Sequence, residues 1–304
     1  MENNILVSCT VLTYNSSTTV IETLESIKRQ TYDNIELIIS DDCSTDNTVE
    51  LCKKWLNENG KRFVRTELLT VDQNTGVSGN GNRALAVCKG EWQKGIGADD
   101  ILFPNCIDDF MKFVKKEPNA KWISSYVREY HGSFDEVNCR GERMAYSRSF
   151  FDEPVEKQLW IMARRNLIYT PSILFNTNVK REVGGYDTTY RIEDYPLFMK
   201  LLERGYKCYF LDKETVGYRI HESQAHSDVR LFHYENQLEV RKFRRDLSFK
   251  YLTKKEKFGL CLYWKTQDYL AGSGRNNKNN RFACFIYKTV SFITFHFFIV
   301  NVKN

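Results

Sequence analysis

The feature that most constrains this chain is a recurring pair: a short apolar run, rich in β-branched residues, with a polar or acidic cluster close behind it. Ile5 to Leu12 is one such run, and Thr13, Tyr14 and Asn15 follow it. Ile35 to Ser40 is another, followed by Asp41 and Asp42. Trp92 to Ile96 is a further one, with Asp99 and Asp100 close behind. Such runs read as strands buried on both faces. Between them the periodicity turns helical. Val20, Leu24 and Ile27 share one face behind a Thr19-x-x-Glu22 capping-box pattern. Thr45 to Asn59 sets Val49, Cys52 and Leu56 on one side and stops at Gly60. Phe63 to Leu69 reads as a strand. A loop with three glycines follows, then a short helix around Arg83 to Cys88. Pro104 opens a helix that turns Ile107, Phe110, Met111 and Val114 inward.

Strands alternating with helices predict an α/β fold with a mostly parallel sheet covered on both sides. Ligands of such sheets sit beyond the carboxyl ends of the strands. The three polar clusters are therefore expected to converge. After Lys116 the pattern loosens. Trp122 to Val127, Ile168 to Phe175, Tyr206 to Leu211 and Val216 to Ile220 read as strands, and Asp194 to Arg204 as a helix ended by Gly205. No internal repeat is visible.

Composition narrows the class. With 42% hydrophobic, 14% aromatic and 27% charged residues, the 304-residue chain is neither disordered nor low in complexity. A mean hydropathy of −0.49 excludes a polytopic membrane protein. The nine cysteines are odd in number, form no C-x-x-C pair and lie scattered in apolar stretches, so reduced thiols are expected. The opening MENNILVSCTVLTYN lacks the pattern of a secretory signal, which predicts a cytoplasmic location.

Charge is uneven. From Leu231 onward fourteen Lys/Arg stand against five Asp/Glu, a net +9 within a total of +5, leaving the first 230 residues at −4. The expected division is a catalytic body over 1–230, with halves 1–103 and 104–230, and a basic helical extension over 231–304. GSGRNNKNN, at Gly272 to Asn280, reads as a linker before the aromatic stretch Phe282 to Val302. That stretch approaches the ~20 residues of a spanning helix, but Lys288 interrupts it. It could lie in a membrane surface, span it, or pack on the protein itself. Arg275, Lys278 and Arg281 would suit anionic headgroups. Nucleic acid is not expected, since so Phe-rich a segment offers few cationic contacts.

Several chemistries are excluded. No G-x-G-x-x-G follows the first strand, and there is no Walker-type loop or H-E-x-x-H. Gly76-Val77-Ser78-Gly79-Asn80 misses the last glycine of a nucleophile elbow. What remains is carboxylate chemistry. Asp99-Asp100 at a strand end suits Mg²⁺ or Mn²⁺ bound together with substrate phosphates. Asp100 also reads as a cap for the Pro104 helix, and Asp194 as a cap for its own helix, with Glu193 supporting the start.

These residues resemble glycosyltransferase family 2, with its GT-A (Rossmann-like) nucleotide-sugar fold. The resemblance covers Val7 to Ser227 and is carried by VSCTVLTYN, SIKRQTYDNIELIISDDCSTDNT, NTGVSGNGNRAL, KGEWQKGIGADDILFPN, GGYDTTYRIEDYPLFMKLLERGY and YRIHESQAHS, in that order. It is most similar to bacterial enzymes of O-antigen and capsule synthesis. It implies that Thr13, Tyr14 and Asn15 line the nucleotide pocket and that Asp42, with Asp41, holds uracil or ribose. It implies Asp99 as ligand of a divalent cation, Mn²⁺ or Mg²⁺, with Asp100 assisting or touching the donor sugar. Asp194 matches the general base, and His221 a position near the diphosphate or metal, though His221 also reads as a structural histidine. Tyr186 and Glu193 fall on the acceptor side. Two departures stand out. Gly97 replaces the first carboxylate of the family's D-x-D-D. Gly81 stands where many members carry an arginine, and Arg83 reads either as a displaced donor contact or as a solvated helix residue.

The implied activity is inverting transfer of a hexose or N-acetylhexosamine from a UDP-sugar to a saccharide acceptor. That acceptor is expected to be polyprenyl-diphosphate-linked, at the cytoplasmic face of the inner membrane, with the enzyme peripherally attached. Three alternatives use the same residue types: a carboxylate-pair glycoside hydrolase, a non-catalytic nucleotide-sugar or glycan-binding module, and a nucleotidyltransferase.

Overall fold

The structure is a computed structural model that describes residues 5–144, 148–220 and 230–299. It divides into two units, Met1–Gln158 with Leu167–His221, and Leu159–Asn166 with Glu222–Asn304.

The first unit opens with β1 (Val7–Thr13), α1 (Val20–Lys28), β2 (Ile35–Asp41), α2 (Thr48–Asn59), β3 (Arg65–Leu69), α3 (Gly76–Val87) and β4 (Trp92–Gly97). β1 pairs in parallel with β2 and β4, and β2 with β3. Thr13 stands beside Asp41 and Leu12 beside Gly97, so the polar clusters leave the sheet along one edge. β2 is buried at every position, which explains a continuous apolar run instead of an alternating one. β5 (Ile101–Leu102) and α4 (Cys106–Lys116) follow, and α4 buries the expected Ile107, Phe110, Met111 and Val114.

Next come β6 (Trp122–His131), β7 (Cys139–Met144), α5 (Ser149–Asp152), α6 (Val155–Met162), β8 (Leu174–Asn176), α7 (Thr177–Glu182), α8 (Asp194–Glu203) and β9 (Cys208–Ile220). The sheet order is β3-β2-β1-β4-β8-β6-β9-β5, with β7 on β6. β6 and β9 run parallel, whereas β8, β5 and β7 join antiparallel. The sheet is parallel where the clusters lie. Beyond β4 the short antiparallel β8 joins it to the parallel pair β6 and β9.

Four local expectations are corrected. α3 begins at Gly76, inside the glycine loop. Of Ile168 to Phe175 only Leu174 and Phe175 are strand, in β8; Thr170–Ser172 form a 3₁₀ turn, where Pro171 lacks a ladder N–H. The two late strands are one: β9 passes Asp212 and Lys213 in a register shift against β6. The Thr19 capping box does not form. Thr19 instead donates to the Ser16 carbonyl, and Glu22 pairs with Arg219.

In the second unit are α9 (Tyr234–Phe243), α10 (Lys254–Gly272) and α11 (Arg281–Ile293). Thr253 and Glu256 form a capping box on α10. Glu256 also takes Arg164 at 2.7 Å, both side chains being almost wholly buried. Burial alone would raise the Glu256 carboxyl, but Arg164 and the Thr253 donors hold it below its ordinary range. α11 packs on α10 through a Tyr263–Tyr287 hydroxyl contact of 2.7 Å and buries Ala283. Part of the aromatic stretch therefore packs on the protein itself. Among the described residues no helix is long and apolar enough to cross a membrane. Phe282, Phe285, Phe292 and Phe297 remain exposed.

Candidate active site

The strand ends of β1, β2 and β4 open into one cavity of about 800 Å³ in the first unit. Thr13, Tyr14 and Asn15 line it from β1. Thr13 is buried and donates to Asp41 at 2.8 Å. Tyr14 is half exposed, at 52%. Asn15 adopts a left-handed backbone, φ 49°, which Asn tolerates better than most residues. Its amide donates to Ser44 Oγ and its side-chain oxygen accepts from the Thr45 amide, each at 2.8 Å.

The two β2 aspartates part company. Asp41 does not line the cavity; it accepts from Thr13 and from both the amide and hydroxyl of Ser44. It organises the loop. Asp42 does line it. Its carboxylate accepts from the Thr75 hydroxyl at 2.6 Å and from Arg83 at 2.8 Å. Burial works to raise Asp42, but the Thr75 and Arg83 donors outweigh it and hold the carboxyl below its ordinary range. Arg83 also reaches Ser40 and Asn80. It lies behind Asp42 and is not part of the cavity lining, so the displaced arginine braces the carboxylate.

Asp99 and Asp100 both line the cavity from the β4–β5 turn. A Cβ at residue 97 would meet an Asp99 carboxylate oxygen at 2.7 Å. Gly97 is therefore what lets the Asp99 side chain fold back. Asp100 is 4% exposed, and burial with the neighbouring Asp99 charge pushes its carboxyl up to about 8. It does not cap α4, whose cap position is Asn105. Instead it accepts from the Arg219 amide at 2.9 Å, while Arg219 Nε donates to the Asp99 carbonyl at 2.8 Å. Arg219 also grips Glu22 of α1 and the Gly132 carbonyl.

The opposite chain half supplies the remaining wall. Tyr186, Glu193, Thr170 and Tyr218 line the cavity. Tyr186 follows Gly185 (φ 63°), and the Asn82 amide clamps its backbone on both sides at 2.8 Å. A Cβ at residue 81 would lie 2.6 Å from the Tyr186 ring. The ring therefore occupies the space beside Gly81, the second departure. Asp194 is the first residue of α8. Its carboxylate accepts from Thr170 Oγ1 at 2.8 Å and from the Tyr195 amide at 2.6 Å. Asp194 does not itself line the cavity; it lies behind Thr170, whereas Glu193 is part of the lining. Burial and the Asp194 charge push Glu193 up to about 7. Tyr218 is raised by burial and by the charges of Asp100, Asp99, Glu129 and Glu193. His221 lies outside the described residues.

The sequence reading missed Thr170, Tyr218 and Arg219. Tyr218 and Arg219 stand within the YRIHES stretch, but nothing local marks either as part of the site.

The fold beneath this cavity is that of the GT-A glycosyltransferases. The chain belongs to glycosyl transferase family 2, whose profile matches residues 8–169, and it is a glycosyltransferase. It is 29% identical over 219 residues to UDP-Glc:alpha-D-GlcNAc-diphosphoundecaprenol beta-1,3-glucosyltransferase WfaP of Escherichia coli, covering 71% of this chain and 78% of that protein. It is 27% identical over 261 residues to an uncharacterized glycosyltransferase of Haemophilus influenzae, covering 84% and 76%. Among solved structures it is similar to S. aureus TarS 1-349 in complex with UDP-GlcNAc, with a TM-score of 0.56 and 20% identity, over 76% of this chain and 64% of that one.

Proposed function

We propose that the chain transfers a hexosyl or N-acetylhexosaminyl group from a UDP-sugar to a saccharide hydroxyl, with inversion, in the synthesis of a bacterial surface polysaccharide. The observation that carries this reading is the single cavity joining Asp42, the Asp99–Asp100 turn and the Glu193 wall. Asp42 offers ionised oxygens to a uracil N3–H, which needs an acceptor. Tyr14, exposed at the rim, offers a ring face to the base. UDP-sugar is the donor bound by the TarS structure and named for WfaP.

The acidic turn fits a hard divalent cation, Mn²⁺ or Mg²⁺. Two adjacent carboxylates, one of them buried and raised by its neighbour, form a site short of positive charge. Among the described residues no three His, Cys, Asp or Glu side chains cluster tightly enough to hold a metal alone. Asp99, assisted by Asp100, would hold it together with donor phosphates and water. The chemistry it would supply there is charge stabilisation on the departing diphosphate. Asp194, fixed by Thr170 and the Tyr195 amide, takes the proton of the attacking hydroxyl. Glu193 orients that hydroxyl from the cavity side, and Tyr186 forms part of the acceptor wall.

The acceptor we propose is a polyprenyl-diphosphate-linked sugar, as WfaP's name describes for that enzyme. The enzyme would then work at the cytoplasmic face of the inner membrane, held there peripherally by the second unit. Supporting this are the exposed Phe282, Phe285, Phe292 and Phe297 beside Lys278, Arg281 and Lys288. Calorimetry with UDP and Mn²⁺, followed by UDP release with a synthetic lipid-diphosphate saccharide, tests the whole reading. Absence of UDP binding would defeat it. Hydrolysis of a glycan without any nucleotide would favour the glycosidase instead.

A further inference from the structure

The cavity does not stop at the strand ends. It runs back along the sheet to a floor of Thr10, Gln93 and Gly95, walled by Ile173, Phe175 and Tyr186. Thr10 pairs with Gly95 across β1 and β4, and Gln93 with Phe175 across β4 and β8. Directly paired residues share a face, so these groups face one recess. Gly95 keeps its floor open, since a Cβ there would meet only Thr10 Oγ1, at 3.4 Å. Thr10 is 2% exposed. Its hydroxyl accepts from Gln93 Nε2 at 3.2 Å and, among the described residues, donates to none. Gln93 is fixed in turn, because Lys180 Nζ donates to its Oε1 at 2.9 Å.

The recess adjoins the acidic turn. Gly95 lies two residues, about 7 Å, back along β4 from Gly97, over which the Asp99 carboxylate folds. That is the span of one pyranose ring. A sugar whose diphosphate is held at Asp99 would therefore reach the recess with its own substituents.

We propose that this recess is the donor-sugar subsite and that it selects a 2-acylamino sugar, an N-acetylhexosamine, over a plain hexose. This rests on the UDP-sugar reading above. An acetamido group matches both chemistries of the recess. Its methyl lies against the Phe175 and Tyr186 rings and Ile173, and its carbonyl oxygen accepts the Thr10 hydroxyl hydrogen. A bare hydroxyl fills neither the aromatic wall nor the space above Gly95. A site built around a buried donor discriminates strongly against ligands that leave it unpaired.

The test is calorimetric binding of UDP, UDP-glucose and UDP-N-acetylglucosamine to the full chain with Mn²⁺, in the wild type, Thr10→Val and Gly95→Leu. Thr10→Val keeps the shape of the residue and removes only its hydroxyl, so it serves even where Gly95→Leu fails to fold. The acetamido donor is expected to bind at least tenfold tighter than UDP-glucose, with that ratio falling about tenfold or more, to near unity, in either variant. Equal or tighter binding of UDP-glucose, or a ratio untouched by Thr10→Val, overturns the subsite while leaving the UDP-sugar reading in place. Failure of UDP and both sugars to bind overturns that reading and the subsite with it.

Discussion

At the scale of single residues, the carboxylates divide the work by their surroundings. Asp194→Asn is expected to lose about 10²–10⁴-fold in turnover, the usual yield of general base catalysis, while calorimetric UDP affinity stays within a factor of two or so of wild type. Near-normal turnover would remove Asp194 from the mechanism. Glu193 carries a different signature. Raised to about 7 from an ordinary 4.5 by burial and by Asp194, it keeps its proton in the folded chain where the unfolded chain has released it. Folding then takes up a proton between those values, so stability falls as pH rises through the window. Glu193→Gln is expected to raise the midpoint of thermal unfolding relative to wild type at pH 8 and to leave it little changed at pH 4.5. Equal shifts at both values would remove the burden from Glu193. The residues at the strand ends were legible because polar clusters after apolar runs have few other reasons to exist. Thr170 and Arg219 were not, since each acts through partners more than twenty residues away, on Asp194 and on the Asp99–Asp100 turn.

At the scale of elements, α3 is the instructive miss. Gly76, Gly79 and Gly81 argue locally for a loop, since glycine disfavours a helix interior by about 1 kcal/mol relative to alanine. The helix forms regardless, and the tertiary reason is visible at Gly81, where the Tyr186 ring takes up the space of a side chain. Gly81→Ala sets these effects against each other. Better helix propensity is outweighed by a Cβ placed 2.6 Å from a buried ring, so the variant is expected to melt lower than wild type and to show a raised KM for the sugar substrates. A higher melting temperature with unchanged KM would mean the ring gives way freely. The strands were read well for the opposite reason. β2 is buried at every position, and a short run rich in isoleucine fits a strand in a covered sheet better than a helix.

At the scale of the whole molecule, the contrast between an acidic body and a basic tail was legible in the sequence, but not what the tail does with its aromatics. A stretch that reads as a near-span folds as α11 on α10, using Ala283 and Tyr287 inward and leaving four phenylalanines outward. Deleting the stretch would strip a buried surface from the second unit. The sharper experiment replaces Phe282, Phe285, Phe292 and Phe297 by serine. Sedimentation with vesicles containing anionic lipid is expected to recover several-fold less of this variant than of wild type, and added salt to weaken the wild type further. Equal recovery would leave the basic tail without a membrane role.

Lys180 has a consequence of its own. Its ammonium lies 4.0 Å from the Tyr186 ring centroid and 4.6 Å from that of Phe175, with Gln93 as hydrogen-bond partner, and burial lowers it to about 7. At neutral pH a large share of this amine is in its nucleophilic free-base form, yet no reagent reaches it while the wall is shut. Its acylation by an amine-reactive label becomes a clock: the exposed lysines are modified at once, and Lys180, buried like Lys94, only as often as the chain breathes at that spot. Peptide mapping of the lag would time the breathing, and a bound sugar nucleotide should lengthen it.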